Sequence, residues 1–273
     1  MRIRIGYRIE LAVNAPTLLL GALHVHPSRQ HSLLTAESFR VEPALPAGQY
    51  RDGFDNAITR IDIPKDAPVI HLTNSAVVLD SGLPDPVVPD ASQHVVNELP
   101  SETFQFLLPS RYCEVDSDLL GFAWTRFGHT APGWARVQAI CDYVHRHIRF
   151  DYKHARANRT ALEAWREGAG VCRDFAHLAV TLCRCMNIPA RYTTGYLGDI
   201  GVEPVPSPMD FSAWFEAYLG GGWHTFDARH NMPRIGRIVM AHGRDAADVP
   251  ITMVFGQSEL KRFEVVTDEL PEA

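Results

Sequence analysis

The chain has 273 residues, 46% of them hydrophobic and 21% charged, with a net charge of −6. That balance is ordinary for a folded globular protein of one large or two modest domains and excludes a disordered or collagen-like chain. The absence of a basic stripe argues against a nucleic-acid partner. No apolar run is long enough to cross a bilayer, so no membrane role is expected. The first ten residues alternate polar and apolar, unlike the apolar run of a secretion signal. Five cysteines at irregular spacing make no disulfide framework. A reduced, cytoplasmic setting is the expectation. The 13 histidines form no HExxH pattern, and neither a metal nor another cofactor is expected.

Residues 1–85 read as an all-β sandwich. Ile3, Ile5, Tyr7 and Ile9 alternate with polar residues, and further strand patterns lie at 17–26, 57–63 and 69–79. Turn residues such as Pro46 and Gly53 separate them. His24 and His26 share a strand face, but no further ligand accompanies them, so they are read as strand residues. The proline-rich stretch 86–100 reads as a linker.

Residues 101–273 read as an α+β core, helices first and sheet afterwards. Helical patterns lie near 116–126 and at 133–148, where Val137, Ile140, Cys141, Val144 and Ile148 share one side. A shorter helix at 158–165 has Thr160 and Glu163 spaced for a capping box. Strand patterns follow at 190–197, 211–219, 223–227, 235–240, 251–255 and 263–266.

The most informative stretch runs from Gly168 to Pro189. Gly168 and Gly170 permit a tight loop, and from Cys172 onward Phe175, Leu178, Ala179, Leu182 and Met186 recur at helical spacing. Ala176, Val180 and Cys183 make the helix apolar on most sides, as in one that runs through a core. Cys172 therefore sits in a first helical turn, where backbone N–H groups are free and the dipole favours a thiolate. Its own N–H is a candidate oxyanion donor. A small buried cysteine is an equally good reading of the position taken alone. Cys113, Cys141, Cys183 and Cys185 are read as structural.

A cysteine nucleophile needs a base and an orienting carboxylate. Residues 210–230 read as a hairpin turning at Gly220–Gly222. If Leu219 pairs with Gly222, then Ser212, Trp214 and Asp227 share one face, with Ser212 and Asp227 diagonal neighbours. The same register turns His224 and His230 to the other face. Asp227 then suits an orienting carboxylate, but a serine stands where an imidazole is wanted.

With these motifs in view, the chain resembles the bacterial transglutaminase-like superfamily, which has a papain-like core. The resemblance rests on Gly170-Val-Cys-Arg-Asp-Phe-Ala-His177, on Ile188-Pro-Ala-Arg-Tyr-Thr-Thr-Gly-Tyr196, on Leu108-Pro-Ser-Arg-Tyr-Cys113 and on Phe226-Asp-Ala-Arg-His-Asn231. It implies a Cys-His-Asp triad that forms a thioester with a peptide or amide substrate and passes the acyl group to water or an amine. Cys172 and Asp227 match the first and third members. The family pattern has His-Ala-Trp where this chain has Ser212-Ala-Trp214, so impaired amide cleavage is expected. A non-catalytic binding module on the same scaffold, or altered chemistry using Ser212, is the alternative. Trp214 is expected to wall the cleft, Trp165 and Tyr152 to line the pocket, Glu216 to be solvated or structural, and Arg173 and His177 to lie behind the site or at the surface.

Overall fold

The computed structural model describes residues 1–204 and 209–271. Its first strands are β1 (Arg2–Val13), β2 (Thr17–Gly21), β3 (Arg40–Glu42), β4 (Ala47–Arg51), β5 (Ala57–Ile63) and β6 (Val69–Leu79). Next come α1 (Asp118–Phe127), α2 (Trp134–His147), the short strand β7 (Arg149–Phe150), α3 (Ala161–Glu167), the short strand β8 (Ala169–Gly170) and α4 (Cys172–Cys185). The chain closes with β9 (Ala190–Tyr196), β10 (Ser212–Leu219), β11 (Gly222–Phe226), β12 (Ile238–Gly243), β13 (Met253–Phe255) and β14 (Ser258–Leu270).

Period-two alternation builds the N-terminal unit. Ile3, Ile5, Tyr7, Ile9 and Leu11 of β1 are all buried, as expected. Two four-stranded sheets, ordered β14-β1-β6-β3 and β13-β2-β5-β4, bury Ile3, Ile5, Leu19, Ile61, Ile70 and Leu72 in one cluster. This is the sandwich.

One boundary differs from the sequence reading, which gave all of 101–273 to the second unit. β14 pairs with β1, setting Ile5 opposite Thr267, and β13 pairs with β2, setting Leu20 opposite Met253. The last two strands therefore complete the sheets that the first two open. The physical reason is edge closure: β1 and β2 would otherwise leave a row of unpaired backbone groups. Residues 86–100 run along the second unit, with Trp134 N–H donating to Ala91 C=O at 3.0 Å and Gly220 N–H to Ser92 C=O at 2.8 Å.

In the second unit α4 passes through the middle. Phe175, Leu178, Ala179, Leu182 and Met186 pack with residues of α1, α2 and α3 and with Phe215 and Ala217 of β10. Each large apolar side chain so buried contributes on the order of 1.5–3 kcal/mol. The helix ends as its sequence dictates: Asn187 takes a left-handed φ of 59°, and Pro189 follows. The sheet against it is ordered β11-β10-β9-β12. The mixture of helices and sheets is the α+β class expected. Among the described residues no helix is long and apolar enough to cross a membrane.

Candidate active site

The loop entering α4 is built for a tight approach. α3 starts with the expected capping box: Thr160 Oγ accepts the Glu163 N–H at 3.3 Å, and Glu163 Oε2 accepts the Thr160 N–H at 3.0 Å. It ends at Gly168 with φ 62°, a left-handed turn that favours glycine. Two residues on, a Cβ on Gly170 would sit 2.4 Å from Asp174 Oδ2. The missing side chain lets the Asp174 carboxylate fold back over the loop. There Oδ2 accepts from Val171 N–H at 2.8 Å and from Arg159 Nη1 at 2.9 Å. A carboxylate in the first turn of α4 is thus paired and well sited for the dipole.

Cys172 follows, half-buried, at the first position of α4. It packs against one small cluster that joins Ala176, Tyr192 and Ala213 with Ala22 and Ile58 of the sandwich. Burial in this dry setting pushes the thiol up from the ordinary cysteine value. Arg229 pulls the other way, Asp210 pushes further up, and hydrogen bonds from the backbone of Ala213 and Arg173 pull down. Against the expected shift toward thiolate, desolvation outweighs the favourable groups, and among the described residues no histidine is bonded to the sulfur.

The hairpin has the expected register, with Leu219 opposite Gly222 and Phe215 opposite Phe226. Gly220 and Gly221 supply its two-residue turn with φ of 58° and 86°. β11 pairs with β10 only from Phe215 onward, so the start of β10 is free of that ladder, and this is where Ala213 meets the Cys172 sulfur. Ser212 lies one residue earlier, buried, and its Oγ has no partner among the described residues. It lines a cavity of about 220 Å³ with Tyr152, Asp210, Arg229 and His230.

Asp227 lies just past the end of β11 and is buried. Its Oδ1 accepts the N–H groups of Arg229 and His230 at 2.9 and 3.0 Å. Its Oδ2 accepts from His230 Nδ1 and from Arg237 Nη2, both at 2.8 Å. Burial alone would raise this carboxyl, but Arg237 and His230 together hold it well below the usual carboxylate range. No hydrogen bond joins it to Ser212. The three residues singled out from the sequence thus fall into two groups: Cys172 beside the start of β10, and Asp227 engaged by His230 and Arg237.

His230 was missed. Strand alternation turned it to the other face, but it lies outside β11, in a turn where alternation no longer governs direction. The signal was available in Asp227-Ala-Arg-His230, because three residues is the reach of an aspartate that caps a turn and bonds the backbone N–H groups ahead of it.

Other expectations sort as follows. Tyr152 lines the Ser212 cavity. Trp165 does not: its Nε1 donates to Tyr143 Oη at 2.8 Å within the helical layer. Trp214 lies under the Arg237 guanidinium, 4.9 Å from ring centre to Cζ, and lines a different cavity. Glu216 is ion-paired to Arg191 at 2.6 Å and is structural. His177 is fully buried and accepts the Ala246 N–H at 3.1 Å on Nε2, so the surface reading is corrected. Arg173 is half-buried and lies over the Tyr112 ring. His24 and His26 lie beyond β2: His24 contacts Glu37 and Gln49, and His26 accepts the Ser28 N–H.

Comparison with known proteins bears on the family and the fold. A model of the transglutaminase-like superfamily matches residues 125–228, a span holding both Cys172 and Asp227. The chain is 31% identical to a candidate cysteine protease from Cytophaga hutchinsonii known from a crystal structure, with a TM-score of 0.84 over 100% of this chain and 92% of that one. It is also 26% identical over 240 residues to an uncharacterized protein of Mycobacterium leprae, covering 84% of each. The chain belongs to the transglutaminase-like superfamily.

Proposed function

We propose that the protein is a thiol-dependent amide or peptide hydrolase, or an acyl transferase, working through a thioester on Cys172. The observation that carries this reading is the position of that thiol: the first turn of a core helix, bonded by the Ala213 backbone, where Arg229 and Asp210, which line the Ser212 cavity with His230, act on its charge. The imidazole is His230 rather than residue 212. An ionised Asp227 can only accept a hydrogen bond, so Nδ1 of His230 carries the proton and Nε2 is left as the base. Ser212 cannot act as a base at neutral pH, and it lines the same cavity as His230.

The steps follow from a thiol that is neutral at pH 7. As the sulfur attacks the amide carbonyl, its proton passes to Nε2 of His230 and the carbonyl π pair becomes an oxyanion, with the Cys172 N–H as a candidate donor. The same proton then leaves on the departing amine as the C–N bond breaks, giving the thioester. Water or an amine next attacks the thioester, giving up its proton to Nε2. The C–S bond breaks, and that proton returns to the sulfur. The likeness to a candidate cysteine protease supports the hydrolase branch.

A direct test is mass spectrometry after brief exposure to an activated p-nitrophenyl ester. The expected result is one acyl adduct on Cys172, absent in Cys172→Ala. An adduct that persists in Cys172→Ala, or that sits on the other cysteines, overturns the assignment.

A further inference from the structure

Behind the sheet, on the face away from α4, lies a second cavity of about 320 Å³. Arg29, Arg234, Arg237 and Trp214 line it, along with Asp80 and Asp85. The aspartates are already engaged. Asp80 Oδ2 accepts from Arg29 Nη2 at 3.2 Å and its Oδ1 from Gly82 N–H at 3.0 Å. Asp85 Oδ2 accepts from Arg237 Nε at 2.8 Å and from Arg234 N–H at 2.9 Å. What remains is a set of donors. Arg29 Nε, Arg234 Nε, Arg237 Nη1 and Trp214 Nε1 are all buried and have no partner among the described residues. The side chains of Arg234 and Arg237 are 4% and 5% exposed, and Trp214 is 1% exposed.

Four buried, unpartnered N–H donors on residues that line one cavity are unusual, because a buried donor left unpaired is costly and native interiors hold few. None of the four groups can accept a hydrogen bond: guanidinium and indole nitrogens only donate. No side-chain acceptor lining this cavity is left buried and unpartnered among the described residues. A water there must also place its own two protons, whereas an oxyanion offers several lone pairs, has none to place and suits guanidinium geometry.

We propose that this cavity binds a small oxyanion, a phosphate or carboxylate group, held by Arg29, Arg234, Arg237 and the indole N–H of Trp214. The site is separate from the Cys172 chemistry and does not depend on it. Its one link is Arg237, whose Nη2 holds Asp227 while its Nη1 has no partner among the described residues.

The test is thermal unfolding and calorimetric titration of the whole chain with inorganic phosphate and, separately, with acetate, each against sodium chloride at equal ionic strength. A saturable rise in Tm with either anion supports the site, and the anion that binds tells which source of the charge it takes. Affinity should fall roughly ten- to hundredfold in Trp214→Phe and in Arg29→Gln, the effect of losing one charge-assisted or buried hydrogen bond. Arg29→Gln lies at the rim and guards against a folding defect in the tryptophan variant. No shift beyond chloride with either anion overturns the proposal. So does equal binding by Arg29→Gln and the parent protein.

Discussion

The two faces of the β11-β10-β9-β12 sheet carry opposite solutions to burial. Toward α4, Ala213, Phe215 and Ala217 meet an apolar helix, and the one reactive group, the Cys172 thiol, sits in a dry corner with little to favour its charge. On the other face, Arg237 lies over Trp214 and Arg191 pairs with Glu216, and Asp227, just past the end of β11, keeps its charge although it is more buried than the thiol. Burial pushes both acids toward neutrality. Only the aspartate has a guanidinium and an imidazole close enough to win. The lesson is that position on a helix terminus did not decide the state of the thiol. The partner that the sheet brings to each group did.

The comparison breaks most visibly if His230 is removed. His230→Gln should lower amide turnover by roughly 10²- to 10⁴-fold, the usual weight of a general acid–base group. Acylation by an activated ester, which needs His230 only to take the thiol proton and not to protonate the leaving group, should suffer less. Adding Ser212→His to that variant should recover turnover, since an imidazole then stands at the position the family uses. Steady-state rates on a peptide amide read all three, and an unchanged rate in His230→Gln contradicts the assigned base.

A smaller effect tests the charged face. Arg237→Met strips a buried partner from Asp227 and Asp85 and should cost about 3–5 kcal/mol in urea unfolding. Because the Asp227 carboxyl is held below its unfolded value near 4, its contribution is fully present at neutral pH. It is lost as pH falls below about 4. The acid limb of stability should therefore flatten in Arg237→Met, and an unaltered limb would mean that Asp227 draws its charge from elsewhere. The smallest change lies outside both faces: Thr160→Ala removes the cap of α3 and should cost about 1 kcal/mol. A loss several times larger would make the entry to α4 depend on α3 far more than its hydrogen bonds suggest.

Much of this was legible in the sequence where the signal is local. The capping box at Thr160 and Glu163, the core helix from Cys172 and the glycine turn that fixes Leu219 opposite Gly222 all follow from spacings of a few residues. What escaped was non-local. Nothing near residue 260 announces that it will close a sheet begun at residue 2, because an edge strand's partner is set by what else is left unpaired. The raised thiol depends on burial against a cluster drawn from distant parts of the chain, Ala22 and Ile58 among its members. His230 escaped because a period-two rule was carried one turn past the end of its strand.

The most direct measurement is the pH profile of Cys172 alkylation by iodoacetamide, followed by peptide mass, since this reagent reads the thiolate and needs no proton donor. The account predicts a rate that keeps rising with a midpoint above the ordinary cysteine value of about 8.5. A rate already at its plateau by pH 7 would mean a preformed thiolate and would contradict it.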